Sequence, residues 1–117
     1  MTNIVFYRKA GKNIGFQSKG HAGYGVRGTD VDCASVSALI INTVNSVEKL
    51  TDDKCESRIN DRKATIDFEI DGEVSPQSEL LFKSLEFGLN EIAADYPGNV
   101  SIKYRDFYPD CRTFKEV

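Results

Sequence analysis

The chain has 117 residues, 40% hydrophobic and 28% charged, with a formal net charge of −3. That length fits one domain, residues 1–117, with little room for a second, and the composition is that of an ordinary soluble globular protein. The acidic balance weighs against a nucleic-acid binder, whose usual footprint is a basic face, and no apolar run approaches the roughly 20 residues of a membrane span. The N-terminus enters a polar–apolar alternation at once, without a signal-peptide pattern, so a cytoplasmic location is expected. Cys33, Cys55 and Cys111 are odd in number and lack C-x-x-C spacing, which rules out a complete disulfide framework within one chain. With His21 as the one histidine, a zinc site is not expected, and no cofactor is called for.

Asn3 to Arg8 reads as a strand, because Ile4-Val5-Phe6-Tyr7 is β-branched and aromatic. Ala10-Gly11-Lys12-Asn13 is a turn, and Ile14 to Ser18 a second strand, giving a hairpin with a three- to four-residue loop. Gly20 to Asp32 then carries four glycines within nine residues and cannot be the interior of a helix or strand. It is expected to be a flexible loop, and it holds His21. From about Asp32 to Leu50 there is no Gly or Pro. Val36, Ile40, Val44 and Val47 form a helical stripe, widened by Leu39, Thr43 and Leu50.

Lys54 to Asn60 and Ala64 to Ile70 are two further strands joined by Asp61-Arg62-Lys63. In the second, Ile66, Phe68 and Ile70 alternate with Thr65, Asp67 and Glu69, the pattern of a sheet with one buried and one wet face. Ser75-Pro76 starts a second helix, Ser as N-cap and Pro at the first helical position. Its stripe is Leu81, Leu85, Leu89 and Ile92, flanked by Phe82 and Tyr96, and Pro97-Gly98 stops it. Val100 to Phe107 is the last strand, and the tail from Tyr108 reads as charged and poorly ordered. The order ββαββαβ predicts a two-layer α+β domain, a mixed sheet covered on one face by two helices.

The chemistry concentrates where the loop meets the first helix. A thiol is a nucleophile only as thiolate. Cys33 sits in the first helical turn, where unpaired N–H groups and the positive end of the helix dipole favour an anion. His21 on the preceding loop can act as its general base, and the backbone amides of Cys33 and Ala34 are candidates to hold an oxyanion. Against this stands the plainer reading of a packing cysteine and a solvated histidine. Asp30 either orients His21 as a third member or caps the helix. Ser37, one turn after Cys33, reaches the site or simply sits at a helix–loop contact. Tyr24 and Arg27 touch substrate or anchor the loop. Cys55, Cys111 and the carboxylates Asp52, Asp53, Asp61 and Asp67 read as scaffold or solvated surface.

Gly20-His21, Asp30 nine residues after the histidine, and the run Asp30-x-x-Cys33-Ala34-x-Val36-Ser37 together resemble the ribosomal-processing cysteine protease (Prp) family. The resemblance extends over nearly the whole chain. It implies a small cytoplasmic homodimer, without a cofactor, that removes a short N-terminal extension from a large-subunit ribosomal protein after a Phe-containing hydrophobic segment. It implies Cys33 as nucleophile and His21 as catalytic histidine, with Gly20, Asp30 and Ser37 supporting. One departure is Asp32, where the family usually has an apolar or small residue. Adjacent negative charge opposes a thiolate, but helical neighbours do not face each other, so Asp32 is expected to point away. Two rival readings share the sequence: a ribosome-associated binding protein without catalysis, and a redox thiol switch with no resolving cysteine nearby.

Overall fold

The computed structural model describes residues 2–20, 31–60, 62–107 and 114–116; for 31–33 and 114–116 it describes the backbone path alone. The elements are β1 (Thr2–Lys9), β2 (Lys12–Lys19), α1 (Val31–Leu50), β3 (Cys55–Asn60), β4 (Thr65–Ile70), α2 (Pro76–Asp95), β5 (Val100–Phe107) and β6 (Phe114–Glu116). The expected order ββαββαβ is present, followed by β6, which pairs antiparallel with β5 in the tail that was expected to be poorly ordered.

The strands form one sheet in the order β3-β4-β2-β1-β5-β6. It is mixed: β1 and β5 run parallel, and every other neighbouring pair is antiparallel. The β1–β2 turn is tighter than expected. Lys9 pairs with Lys12, leaving Ala10 and Gly11 as its two central residues, with φ of 53° and 80°. Positive φ at both positions is the turn whose twist matches the flanking strands, and nothing in an alanine announces it.

The core lies between one sheet face and the helices. Ile4, Phe6, Phe16 and Phe68 meet Val36, Ile40 and Val47 of α1 and Phe82, Leu85 and Leu89 of α2. Phe16 and Phe68 lie 6.4 and 6.2 Å from Phe82, ring to ring. Phe82 is thus at the centre of the α2 stripe rather than on its flank. Leu50, placed on the α1 stripe, is 75% exposed, because it ends the helix.

The helices run antiparallel. Gly88 of α2 lies against Leu39 of α1, where a Cβ would come within 2.8 Å of Leu39 Cδ1, so the glycine permits close approach. Further along, Ser78 and Thr51 bring the start of α2 to the end of α1, their hydroxyls 3.4 Å apart. The cap of α2 is as read from the sequence: Ser75 Oγ accepts from the Ser78 N–H. Asp53, expected at a solvated turn, accepts from both the N–H and the hydroxyl of Ser75. Burial pushes its carboxyl up, but hydrogen bonds from Ser78 and Ser75 outweigh it and hold the carboxyl below the usual range.

Among the described residues, the other sheet face carries no helix. Asp67 points there but is not simply solvated. It accepts hydrogen bonds from Tyr7 and Gln17, and Arg58 lies 3.7 Å from its second oxygen, an ion pair longer than a hydrogen bond. Tyr7 is 3% exposed, and burial, then the Asp67 carboxylate, push its phenol well above the ordinary range.

Candidate active site

Four facts of topology bring Cys33 and Gly20 to one end of the molecule. The C-terminus of α2 is capped at Tyr96, whose carbonyl accepts from Asn99, and the Asn99 carbonyl accepts from Thr2. The end of α2 therefore sits over the start of β1. Because the helices are antiparallel, α1 begins over that same end. Asn3, beside Thr2, pairs with Lys19, the last residue of β2. Gly20 follows with φ 75°, a left-handed conformation natural to glycine, and its N–H donates to the Ala64 carbonyl at 3.1 Å. The chain thus leaves the sheet at Gly20 on the side where α1 starts.

Cys33 is the third residue of α1 and Ala34 the fourth. The first four N–H groups of a helix have no intrahelical partner, so both amides belong to the positively polarised end of the helix. Val36 is 1% exposed and Ala34 exposed. Ser37, half-buried, lies one turn beyond Cys33 on the path toward the core. The side chains of Asp32 and Cys33, and the whole of His21, Tyr24, Arg27 and Asp30, lie outside the described residues, as do Asp61 and Cys111. The structure thus places Gly20, Ala34 and Ser37 and the backbone of Cys33.

Two features at this end were not anticipated from the sequence. Ile59 of β3 stands directly opposite Ile66 of β4, and Ile66 opposite Ser18 of β2, so all three point into the layer where the helices lie. Ile66 packs against the core, while Ile59 is 65% exposed. The signal was present in the sequence: Ile59 is the lone aliphatic residue in Cys55-Glu56-Ser57-Arg58-Ile59-Asn60. Ser18 is fully buried, and its hydroxyl has no hydrogen-bond partner among the described residues.

Cys55 differs in kind from Cys33. It lies at the far end of β3, half-buried, its Sγ 3.4 Å from the Asp53 carbonyl. Burial, then the Glu48 and Asp53 carboxylates, push its thiol above the ordinary value, which suppresses the thiolate. A concavity of about 670 Å³ opens on the side away from α1. Val5, Gln17, Lys19, Lys103 and Arg105 line it on the sheet face opposite α1.

Comparison with known proteins converges on one family. The family model described as cysteine protease Prp matches residues 1–101. The ribosomal processing cysteine protease Prp of Staphylococcus aureus is 24% identical over 86 residues, 74% of this chain and 81% of the relative. Its Bacillus subtilis counterpart is 28% identical over 93 residues, 76% and 83% of the two chains. Among solved structures, the S. aureus protease with a covalently linked product peptide superposes with a TM-score of 0.80 at 23% identity, covering 89% of this chain and 99% of that one. SMU.848 from Streptococcus mutans gives 0.79 at 27% identity, covering 92% and 99%. With 101 of 117 residues matched by the family model and the fold shared over about nine-tenths of the chain with these structures, the chain belongs to the Prp family of cysteine proteases, which are hydrolases.

Proposed function

We propose that the chain, acting as one domain, is a cysteine endopeptidase that removes the short N-terminal extension of a large-subunit ribosomal protein, cutting after a Phe-containing hydrophobic segment. The observation that supports this reading is that the α1 N-terminus, bearing Cys33, and the exit of β2 at Gly20, immediately before His21, lie toward one end of the domain. The names of the relatives, ribosomal processing proteases, supply the substrate class.

In this mechanism His21 takes the Cys33 proton, and the thiolate attacks the scissile carbonyl, forming a C–S bond. The carbonyl oxygen becomes an oxyanion that the Cys33 and Ala34 amides receive. As the C–N bond breaks, His21 returns the proton to the leaving amine, leaving a thioester. Water, deprotonated by His21, then attacks the thioester and releases the carboxylate product and the thiol. Asp30 orients His21 or caps α1, Ser37 supports the site from the next helical turn, and Tyr24 contacts the peptide. Gly20 gives the chain its turn into the segment that carries His21. The reading includes a cytoplasmic homodimer that needs no cofactor.

The test is the purified protein with a peptide spanning the extension, the cut read by mass. Cys33→Ala and His21→Ala are each expected to abolish cleavage with the fold intact by circular dichroism, and retained cleavage in either rejects the mechanism. Alkylation at neutral pH gives a second readout. Cys33 is expected to react much faster than Cys55, whereas equal slow rates support a non-catalytic binding protein.

A further inference from the structure

The edge of the sheet beside the candidate site has the chemistry of a peptide-docking strand. β3 is the terminal strand in the order β3-β4-β2-β1-β5-β6, and β4 is its one partner among the described residues. Along such an edge, alternate N–H and C=O groups point away from the sheet. The strand contains no proline, so no donor is missing from that edge.

Its two faces differ. On the helix-free side, Arg58 is paired with Glu56 at 3.2 Å and Glu69 at 3.3 Å, which keeps that side charged. On the helix side, β3 beyond Cys55 is exposed among the described residues. Ile59 is 65% exposed although it shares its side with the buried Phe68 and the half-buried Ile66. An aliphatic side chain left open beside a packed one forms a ledge that continues the core outward. The ledge is also at the right end. Asn60 pairs with Thr65 and Thr65 with Lys19, so Ile59 lies on the edge of the molecule where the chain leaves β2 at Gly20 and where α1 begins.

We propose that the hydrophobic segment of the substrate adds to β3 as a further strand and seats an apolar side chain over Ile59 and Ile66. This inference rests on the proteolytic reading given above and names the surface that holds the peptide. Main-chain hydrogen bonds along a sheet edge give affinity with little sequence dependence, and a ledge on one side selects the alternate residues. The mainly polar β3 then supplies a backbone template, and Ile59 supplies the preference for an apolar side chain. The charged side, fixed by Arg58, disfavours an apolar residue at the adjacent position.

Two measurements test it on the intact chain, with a peptide carrying a Phe-containing hydrophobic segment as probe. Ile59→Lys is expected to raise KM about tenfold, the scale of one aliphatic contact replaced by a charge, and Ile59→Leu to keep KM within about twofold. Because Ile59 is exposed, neither substitution disturbs the core. Amide hydrogen exchange with the Cys33→Ala variant is expected to show slowed exchange within 55–60 when the peptide is added. Cleavage with unchanged β3 exchange and unchanged KM in Ile59→Lys overturns the docking surface and leaves the proteolytic reading standing. Slowed β3 exchange with no cleavage by the wild-type protein supports the docking surface and sinks the proteolytic reading.

Discussion

Glu86 ties α2 to the sheet at a site remote from the candidate nucleophile, and removing its charge has a calculable effect. Its carboxylate accepts from Arg8 Nη2 at 3.0 Å, from Asn13 Nδ2 at 2.9 Å and from the Tyr104 hydroxyl. Arg8 in turn stacks its guanidinium 4.0 Å over the Tyr104 ring. Burial pushes the Glu86 carboxyl up, but the bonds from Tyr104, Asn13 and Arg8 outweigh it and hold the group below its ordinary value. Glu86→Gln keeps the shape but turns one acceptor into a donor facing donors. Hydrogen bonds to a charged group contribute ~1.5–3 kcal/mol. With the carboxylate side chain 19% exposed and Arg8 32% exposed, solvent takes the lower half of that range. We expect a loss of about 2 kcal/mol at pH 7, or roughly 8 °C in Tm for a chain of this size. A carboxyl with a depressed folded-state pKa contributes stability above its unfolded pKa of about 4.3, lost as pH falls through the folded value. Urea unfolding at fixed protein concentration should therefore show the wild-type advantage narrowing below about pH 4. An advantage under ~0.5 kcal/mol at pH 7, or one that does not narrow in acid, would refute the reasoning.

Two further substitutions probe the scaffold that carries the site. Gly15→Ala would drive a Cβ into the Phe68 carbonyl and the Glu69 Cα on the neighbouring strand. A loss of about 2–3 kcal/mol in urea unfolding is expected, and a change below ~0.5 kcal/mol would show that β4 can retreat. Ser75→Ala removes the acceptor for the Ser78 N–H and the Ser75 hydroxyl donor to Asp53, leaving the Ser75 N–H in place. It should cost about 1 kcal/mol, and should also return the Asp53 carboxyl toward its ordinary value, observable by NMR titration; an unmoved Asp53 would count against the cap network.

What was legible in the sequence was local. The Ser75-Pro76 start of α2 and the Val36, Ile40, Val47 stripe of α1 are set by short-range geometry, and both stand in the structure. The order of elements followed from the same signals. Properties belonging to pairs of elements were not legible. Asp67 sits in an alternating strand, so its face could be read, but its partners Tyr7, Gln17 and Arg58 arrive from three other strands through register. Leu50 fits the α1 period, yet a period cannot say where the packed partner stops. The parallel pairing of β1 with β5, and the edge position of β3, depend on where each helix crosses the sheet.

The candidate site divides along the same line. Cys33 in the first turn of a helix is a local inference, and the structure starts α1 two residues before it. That Gly20 and that turn share one end of the domain is not local, since ten residues, 21–30, separate Gly20 from Val31. It is imposed by the sheet: the Gly20 N–H is held by Ala64, the Thr2 N–H by Asn99, and the antiparallel packing of α2 on α1 sets the helix start over that end. Gly20 and the first turn of α1 therefore lie on one rim of the domain. A helix reversed relative to α2 would put the same cysteine over the far rim, where Lys9 meets Lys12. The sense of helix packing, fixed by contacts such as Gly88 against Leu39, is thus as much a condition of the proposed chemistry as the cysteine itself.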